Sequence, residues 1–150
     1  MNTLELKHFL LQDPICAKHF GGVISADHLA NLIPEDGKVY IINTSISSLP
    51  GTHWVLIYKD PVKKNVEYWD SLAKFPWEYG YYFTKFFSGI TYICNTVRLQ
   101  GRKKVCGEYT LYFSYYRCRG YTMNSIVNHF SNDLVNNDSI VEIFVKNHTK

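Results

Sequence analysis

The sequence predicts an α+β fold, a small mixed or antiparallel β-sheet with helices packed on it. Three observations predict it: capped apolar helix patterns towards both ends of the chain, short β-branched segments between residues 39 and 70, and helices segregated from strands rather than alternating with them. At 150 residues, with 46% hydrophobic and 19% charged side chains, the chain is expected to form one folded domain over residues 1–150.

In chain order, Asn2 with Glu5 three positions on forms a capping-box pattern, opening a helix that runs to about Gln12 and stops at Asp13-Pro14. Ser25 is placed to cap a short helix, SADHLANLI, ended by Pro34. Val39 to Asn43 and His53 to Tyr58 read as strands, the second after the Pro50-Gly51 turn, and Asn65 to Asp70 resumes the strand pattern beyond the KDPVKK loop. From Trp77 to Phe87 the aromatics recur too densely for a period to decide, although Gly89 suits a helix stop, and ITYICNTVRL beyond it reads as a strand. A helix is expected from Cys106 to Arg119 with Gly120 past its end, and Thr122 and Ser139 open two more, the last with Glu142 completing S-x-x-E.

Six basic residues (Arg98, Arg102, Lys103, Lys104, Arg117, Arg119) against the single acid Glu108 concentrate the positive charge of a chain whose formal net charge is +3. No apolar run approaches the roughly 20 residues that cross a bilayer, and the first residues lack a cleavable-leader pattern, so neither a membrane span nor secretion is expected. Four irregularly spaced cysteines (Cys16, Cys94, Cys106, Cys118) point to reduced thiols and an intracellular setting.

A nucleophilic thiol needs a base within hydrogen-bond reach, a group to orient that base, and donors for the oxyanion. Pairing Tyr58 with Asn65 across the loop makes His53 and Asp70 cross-strand neighbours, close enough for the carboxylate to hold an imidazole nitrogen. Cys106 starts a helix just before Gly107, where unpaired N–H groups favour an anion, with Arg102, Lys103 and Lys104 adding positive charge nearby. Gln100 offers an amide donor six residues earlier, and Gly101 lets the intervening loop fold back. Each of these residues alone reads more simply as ordinary structure: a polar pair at a hairpin mouth, or a small buried cysteine.

Taken together, GTHW with His53 and Trp54, WDS with Asp70, and Q-x5-CG with Gln100, Cys106 and Gly107 resemble the adenovirus-type endopeptidases (adenains) and their relatives among the ubiquitin-like-protein proteases. The resemblance covers residues from about 20 to about 116. It implies a papain-like cysteine protease core with the triad in the chain order His, Asp, Cys. Cys106 is then the nucleophile, His53 the general base and Asp70 its orienting residue, with Gln100 and the Cys106 N–H as oxyanion donors. Trp54 and Gly107 would flank a groove for small substrate residues, glycine above all.

The implied activity is cleavage of capsid and core precursors of adenovirus-like viruses or Polinton-type elements during virion maturation, in the host nucleus or cytoplasm and in the virion. It implies a monomer that needs no metal or cofactor for its chemistry, with DNA and a short basic peptide as activators. Asp70 in place of Glu, and one residue fewer between Gln100 and Cys106, are features nearer the ubiquitin-like-protein proteases. Cys94 does not fall at the spacing of the cysteine that links adenain to its peptide.

The alternatives are a deconjugating or processing protease for a ubiquitin-like protein and, in another class, a non-catalytic nucleic-acid-binding module. The latter would grip phosphates with the basic segment and stack bases on the tyrosines between Tyr109 and Tyr121. Cys16-x2-His19 is half of a zinc pattern and reads as coincidence, while His8, His28 and His129 read as surface or satisfied core histidines.

Overall fold

A computed structural model describes residues 1–149. A five-stranded sheet runs in the order β1 (Phe20–Ser25), β2 (Val39–Asn43), β3 (Trp54–Lys59), β4 (Val66–Trp69) and β5 (Tyr92–Cys94). The three central strands, β2, β3 and β4, are antiparallel to one another, and β1 on β2 and β5 on β4 are parallel additions at the two edges. Around it lie α1 (Thr3–Gln12), α2 (Pro14–His19), α3 (Tyr81–Ser88), α4 (Cys106–Cys118), α5 (Met123–Val127) and α6 (Leu134–His148), with 3₁₀ turns over Ala26–Asn31 and Pro76–Tyr79. The expected mixed sheet with packed helices is what forms.

Alternation along the strands divides the core in two. Val39 and Ile41 of β2, Leu56 and Tyr58 of β3 and Trp69 of β4 face a cluster built with Leu6, Leu10, Tyr109, Phe113, Ile126 and Val141 from α1, α4, α5 and α6. Tyr40, Ile42, Val55, Ile57 and Tyr68 point the other way, against Leu29, Phe83 and Phe87.

The capping box of Asn2 and Glu5 closes in both directions, at 2.9 and 3.1 Å. Asp13 does not end helical structure: it caps α2, accepting from the Cys16 N–H at 2.8 Å, with Pro14 in the first turn where its missing N–H costs nothing. The segment after Ser25 winds as a 3₁₀ turn without a side-chain cap, and its Oγ pairs with His28 Nδ1 instead. The helix expected at Ser139 begins at Leu134, capped by Asp133, and Ser139 sits inside it with its hydroxyl on the Val135 carbonyl. The dense aromatics resolve as a 3₁₀ turn followed by α3, and the strand beyond Gly89 is limited to Tyr92–Cys94.

The β3–β4 pairing also differs from expectation. Leu56 lies opposite Trp69 and Tyr58 opposite Glu67, a register two residues away from the one that sets His53 opposite Asp70. A slip of two preserves which face every side chain occupies, so His53 and Asp70 remain on one face as diagonal neighbours just beyond the ends of the paired strands.

Candidate active site

Where β3 begins and β4 ends, His53 Nε2 and Asp70 Oδ1 are 2.7 Å apart, with His53 9% and Asp70 1% exposed. Asp70 is held on all sides. Its Oδ1 also accepts from the Leu72 N–H at 3.0 Å, and its Oδ2 accepts from the Lys74 N–H and the Tyr79 hydroxyl. Its main chain is clamped by the buried Asn95 amide, which accepts from the Asp70 N–H at 2.8 Å and donates to the Asp70 carbonyl at 2.7 Å. Tyr79 also stacks on His53, with ring centroids 5.7 Å apart and planes 26° apart, so one side chain holds both acid and base in place. Burial pushes the Tyr79 phenol well up, and the Asp70 charge adds to this, so Tyr79 stays a donor.

With Nε2 taken by Asp70, Nδ1 is the nitrogen left for Cys106, the first residue of α4. The preceding Val105 offers no side-chain cap, so the first-turn N–H groups of this helix are free of a capping acceptor. Burial works against the Cys106 thiolate, but the adjacent His53 imidazole, with lesser help from the Trp54 and Gly107 N–H groups, brings the thiol below its ordinary value. Burial likewise works against the His53 imidazolium, yet Asp70 and then Cys106 push it up to about 9. Both shifts favour the thiolate–imidazolium form of the pair over the neutral one. Lys103, expected to aid the thiolate, instead directs its ammonium to Glu142 Oε1 at 2.7 Å.

Gln100 is buried with its amide fixed: Ser71 Oγ donates to its Oε1 at 2.6 Å, and its Nε2 donates one hydrogen to the Lys103 carbonyl at 2.8 Å. The second Nε2 hydrogen has no hydrogen-bond acceptor among the described residues. The N–H groups of Leu99 and Gln100 both bond the Ser71 carbonyl, which docks this loop onto the end of β4. From the other side, Asp138 of α6, only 1% exposed, accepts from the Gly101 N–H at 2.9 Å, the Lys103 N–H at 3.3 Å and the Tyr109 hydroxyl at 2.8 Å. Asn137 donates to the Leu99 carbonyl.

Gly107 is buried, and a Cβ there would lie 3.1 Å from the Met1 Cβ and 3.4 Å from Trp54 Cδ1, so the glycine makes room for Trp54 against α4. The Trp54 indole N–H donates to the Met1 carbonyl at 3.0 Å. Trp54 also forms one wall of a cleft of about 500 Å³ shared with Val23, Asn43, Ser45, Leu49 and Gly51. Ser71, Tyr79, Asn95 and Asp138 were not singled out from sequence, where a lone Ser, Tyr, Asn or Asp carries no periodic or motif signal.

The basic segment is largely spent internally. Arg117 makes a two-pronged bond to Glu67 at 2.9 and 3.0 Å, Arg119 pairs with Asp13 at 2.6 Å, and Arg98 donates to the Gln100 carbonyl. Tyr109 and Tyr112 are buried, and Tyr116 packs on Phe144 and His129, so these rings of the helix serve the core. Cys16 and His19 turn to different partners, His19 Nδ1 bonding the Gly37 carbonyl. Among the described residues no three His, Cys, Asp or Glu side chains cluster to hold a metal ion, and no helix is long and apolar enough to cross a membrane.

No protein-family profile matches the chain in sequence, and no curated protein does. Solved structures do match its fold. The Chlamydia trachomatis effector protein Cdu1, solved bound to ubiquitin, superposes with a TM-score of 0.64 over 99% of this chain and 91% of its own, at 9% identity. The SUMO protease Ulp1 matches with a TM-score of 0.51 over 100% and 79%, at 15% identity. ChlaDub1 from Chlamydia trachomatis matches at 0.50 over 96% and 72%, at 14% identity. The chain has the α+β fold of the Ulp1-type cysteine proteases.

Proposed function

We propose that the chain is a cysteine protease acting through Cys106 on the C-terminal tail of a ubiquitin-like protein. The observation that carries this is the His53–Asp70 bond at 2.7 Å beside a thiol that starts α4 and is held below its ordinary value. The fold is shared with Ulp1, a SUMO protease, and with Cdu1, solved with ubiquitin bound, which supports the substrate class. Neither neighbour points to capsid or core precursors, so virion maturation is the weaker reading.

In this mechanism the Cys106 Sγ attacks the scissile carbonyl carbon, and the developing oxyanion is met by the free Gln100 Nε2 hydrogen and a first-turn N–H of α4. As the C–N bond breaks, the His53 imidazolium gives its proton to the departing amine, leaving a thioester on Cys106. Water then attacks the thioester carbonyl, its proton passes to His53, and the Cys106 thiolate departs with the carboxylate product. Asp70 keeps the imidazole turned towards sulfur throughout, and Tyr79 and Asn95 keep Asp70 in place.

The test is labelling with ubiquitin and SUMO carrying a C-terminal electrophile. The expected result is a covalent adduct at Cys106 with one of them, absent in Cys106→Ala. A chain labelled by a short glycine-ended peptide aldehyde but by neither protein would be a protease with another substrate. A chain labelled by none of them would not be a thiol protease.

A further inference from the structure

A groove opens at the end of the sheet opposite the candidate active site. β3 runs from Trp54, next to His53, to Lys59, about 17 Å away at roughly 3.3 Å per residue, and Lys59 lines the groove. One wall is the 3₁₀ turn over Ala26–Asn31 with the residues after it up to Pro34. The other is α3, which packs against that turn, with Ile90 just past its end. Residues three and four apart share a helix face, and this sorts α3 in two: Phe83 and Phe87 are buried in the core, whereas Tyr82, Lys85 and Phe86 line the groove. The groove encloses about 440 Å³ and shares no residue with the cleft beside Trp54.

Its lining is apolar with charge of one sign. Leu32 and Ile33 on one wall and Phe86 and Ile90 on the other supply hydrocarbon, and Ile33 is left 85% exposed on the rim. Among the described residues the only charged side chains on the walls are Lys59 and Lys85, no acid joins them, and neither lysine forms an ion pair. The Lys85 ammonium lies 5.8 Å from the centroid of the exposed Tyr81 ring. Asp36 stands in the neighbouring turn, where the Gly37 N–H bonds the Lys59 carbonyl, but its carboxylate is taken by Lys64. An apolar groove within the size range of small-molecule sites, roughly 300–1,000 Å³, whose only charges are two unpaired cations, is complementary to a molecule with a long apolar body and one anionic end.

We propose that this groove is a binding site for a long-chain alkyl carboxylate, a fatty acid, with its chain along Leu32, Ile33, Phe86 and Ile90 and its carboxylate on Lys59 and Lys85. The lysine stems extend the apolar lining while their ammonium groups meet the ionised head. A single amphiphile fits the scale better than a partner protein does: a stable protein interface takes roughly 20–30 residues a side, and ten line this groove.

The experiment titrates the full chain with tetradecanoate, dodecanoate and decanoate below their micelle concentrations, and with decan-1-ol as the uncharged control, by isothermal titration calorimetry. The expected result is one saturable site, a Kd that rises about tenfold for each two carbons removed, and decanoate bound about tenfold more tightly than decan-1-ol. Ile33→Asp, at a residue exposed enough to leave the core intact, should raise the Kd for dodecanoate by about tenfold or more. Lys85→Met, at an exposed helix position, should cut the preference for decanoate over decan-1-ol by about threefold or more. Both variants are checked for folding by circular dichroism. The proposal is overturned if no alkyl carboxylate binds saturably, if decan-1-ol binds as tightly as decanoate, if Ile33→Asp binds dodecanoate unchanged, or if an acidic amphipathic helical peptide binds and the alkyl carboxylates do not. Binding is read directly, so none of these outcomes depends on proteolytic activity.

Discussion

At the scale of single residues, the proposed chemistry depends on two shifts that sustain each other. His53 is pushed up to about 9 by Asp70 and Cys106, and Cys106 is brought down by His53. Asp70→Asn keeps the shape and removes the charge, so the imidazolium loses its support and the thiolate loses part of its own. The pH at which iodoacetamide alkylates Cys106 should therefore rise in Asp70→Asn and rise further in His53→Ala, and turnover in Asp70→Asn should fall by about a hundredfold or more. Identical alkylation profiles in all three proteins would show the side chains to be uncoupled. A group with a raised folded-state value contributes stability that is full below its unfolded value and is lost as pH rises through the folded one. For His53 that window lies between its ordinary value and about pH 9. A pH–rate profile for turnover should accordingly show an alkaline limb near pH 9, where the imidazolium that protonates the leaving amine disappears, and this limb should move to lower pH in Asp70→Asn.

At the scale of elements, the site is a meeting of three ends: the start of β3 brings His53, the end of β4 brings Asp70 and Ser71, and the start of α4 brings Cys106. Gln100 belongs to none of these elements and is placed by what surrounds its loop. Asp138 reaches from α6 to the N–H groups of Gly101 and Lys103, and the Lys103 carbonyl in turn holds the Gln100 amide. Asp138→Asn replaces an acceptor of three donors with an amide that must turn one NH₂ towards them, loosening the loop without touching substrate. Steady-state kinetics should show kcat reduced by about tenfold to a hundredfold with KM little changed, and Cys106 alkylation unaltered. A rise in KM alone would place Asp138 in substrate binding rather than in positioning Gln100.

At the scale of the whole molecule, the sheet is joined to α4 by a buried polar contact as well as by apolar packing. Glu67, 4% exposed in the middle of β4, accepts from Arg117 Nε and Nη2 and from the Trp69 indole, while Arg117 lies over the Tyr58 ring with its guanidinium carbon 4.4 Å from the centroid. Removing one member of such a pair leaves the other charge buried and unpaired. Arg117→Met should lower the unfolding free energy in a urea titration by about 3–5 kcal/mol, and Glu67→Gln added to it should restore part of the loss. A change under about 1 kcal/mol would mean that the carboxylate finds water or another donor when Arg117 is gone.

How much of this could be read in advance follows from how local each cause is. The cap of α1, the strand character of β2, β3 and β4, and the span of α4 rest on residues within a few positions of one another, and these elements appear where the sequence places them. The segregated pattern of strands and helices likewise sufficed for the α+β class. The start of α6 differs from the expected one because Asp133 and Ser139 are equally good caps in isolation; the packing of Asn137, Asp138 and Val141 against the rest of the molecule selects the earlier one. Local sequence does not mark β1 and overextends β5, because a parallel edge strand is defined by the partner it joins. The β3–β4 register was wrong by two residues, since the turn through Asp60 to Lys64 is closed by the Asp60 carboxylate bonding the N–H groups of Val62 and Lys63, which strand periodicity does not encode. Periodicity does encode face, and that is why His53 and Asp70 still meet. Motif spacing could single out His53, Asp70, Gln100 and Cys106, but their supports Ser71, Tyr79, Asn95 and Asp138 come from other segments of the chain, and only tertiary packing decides which donor stands beside which acceptor.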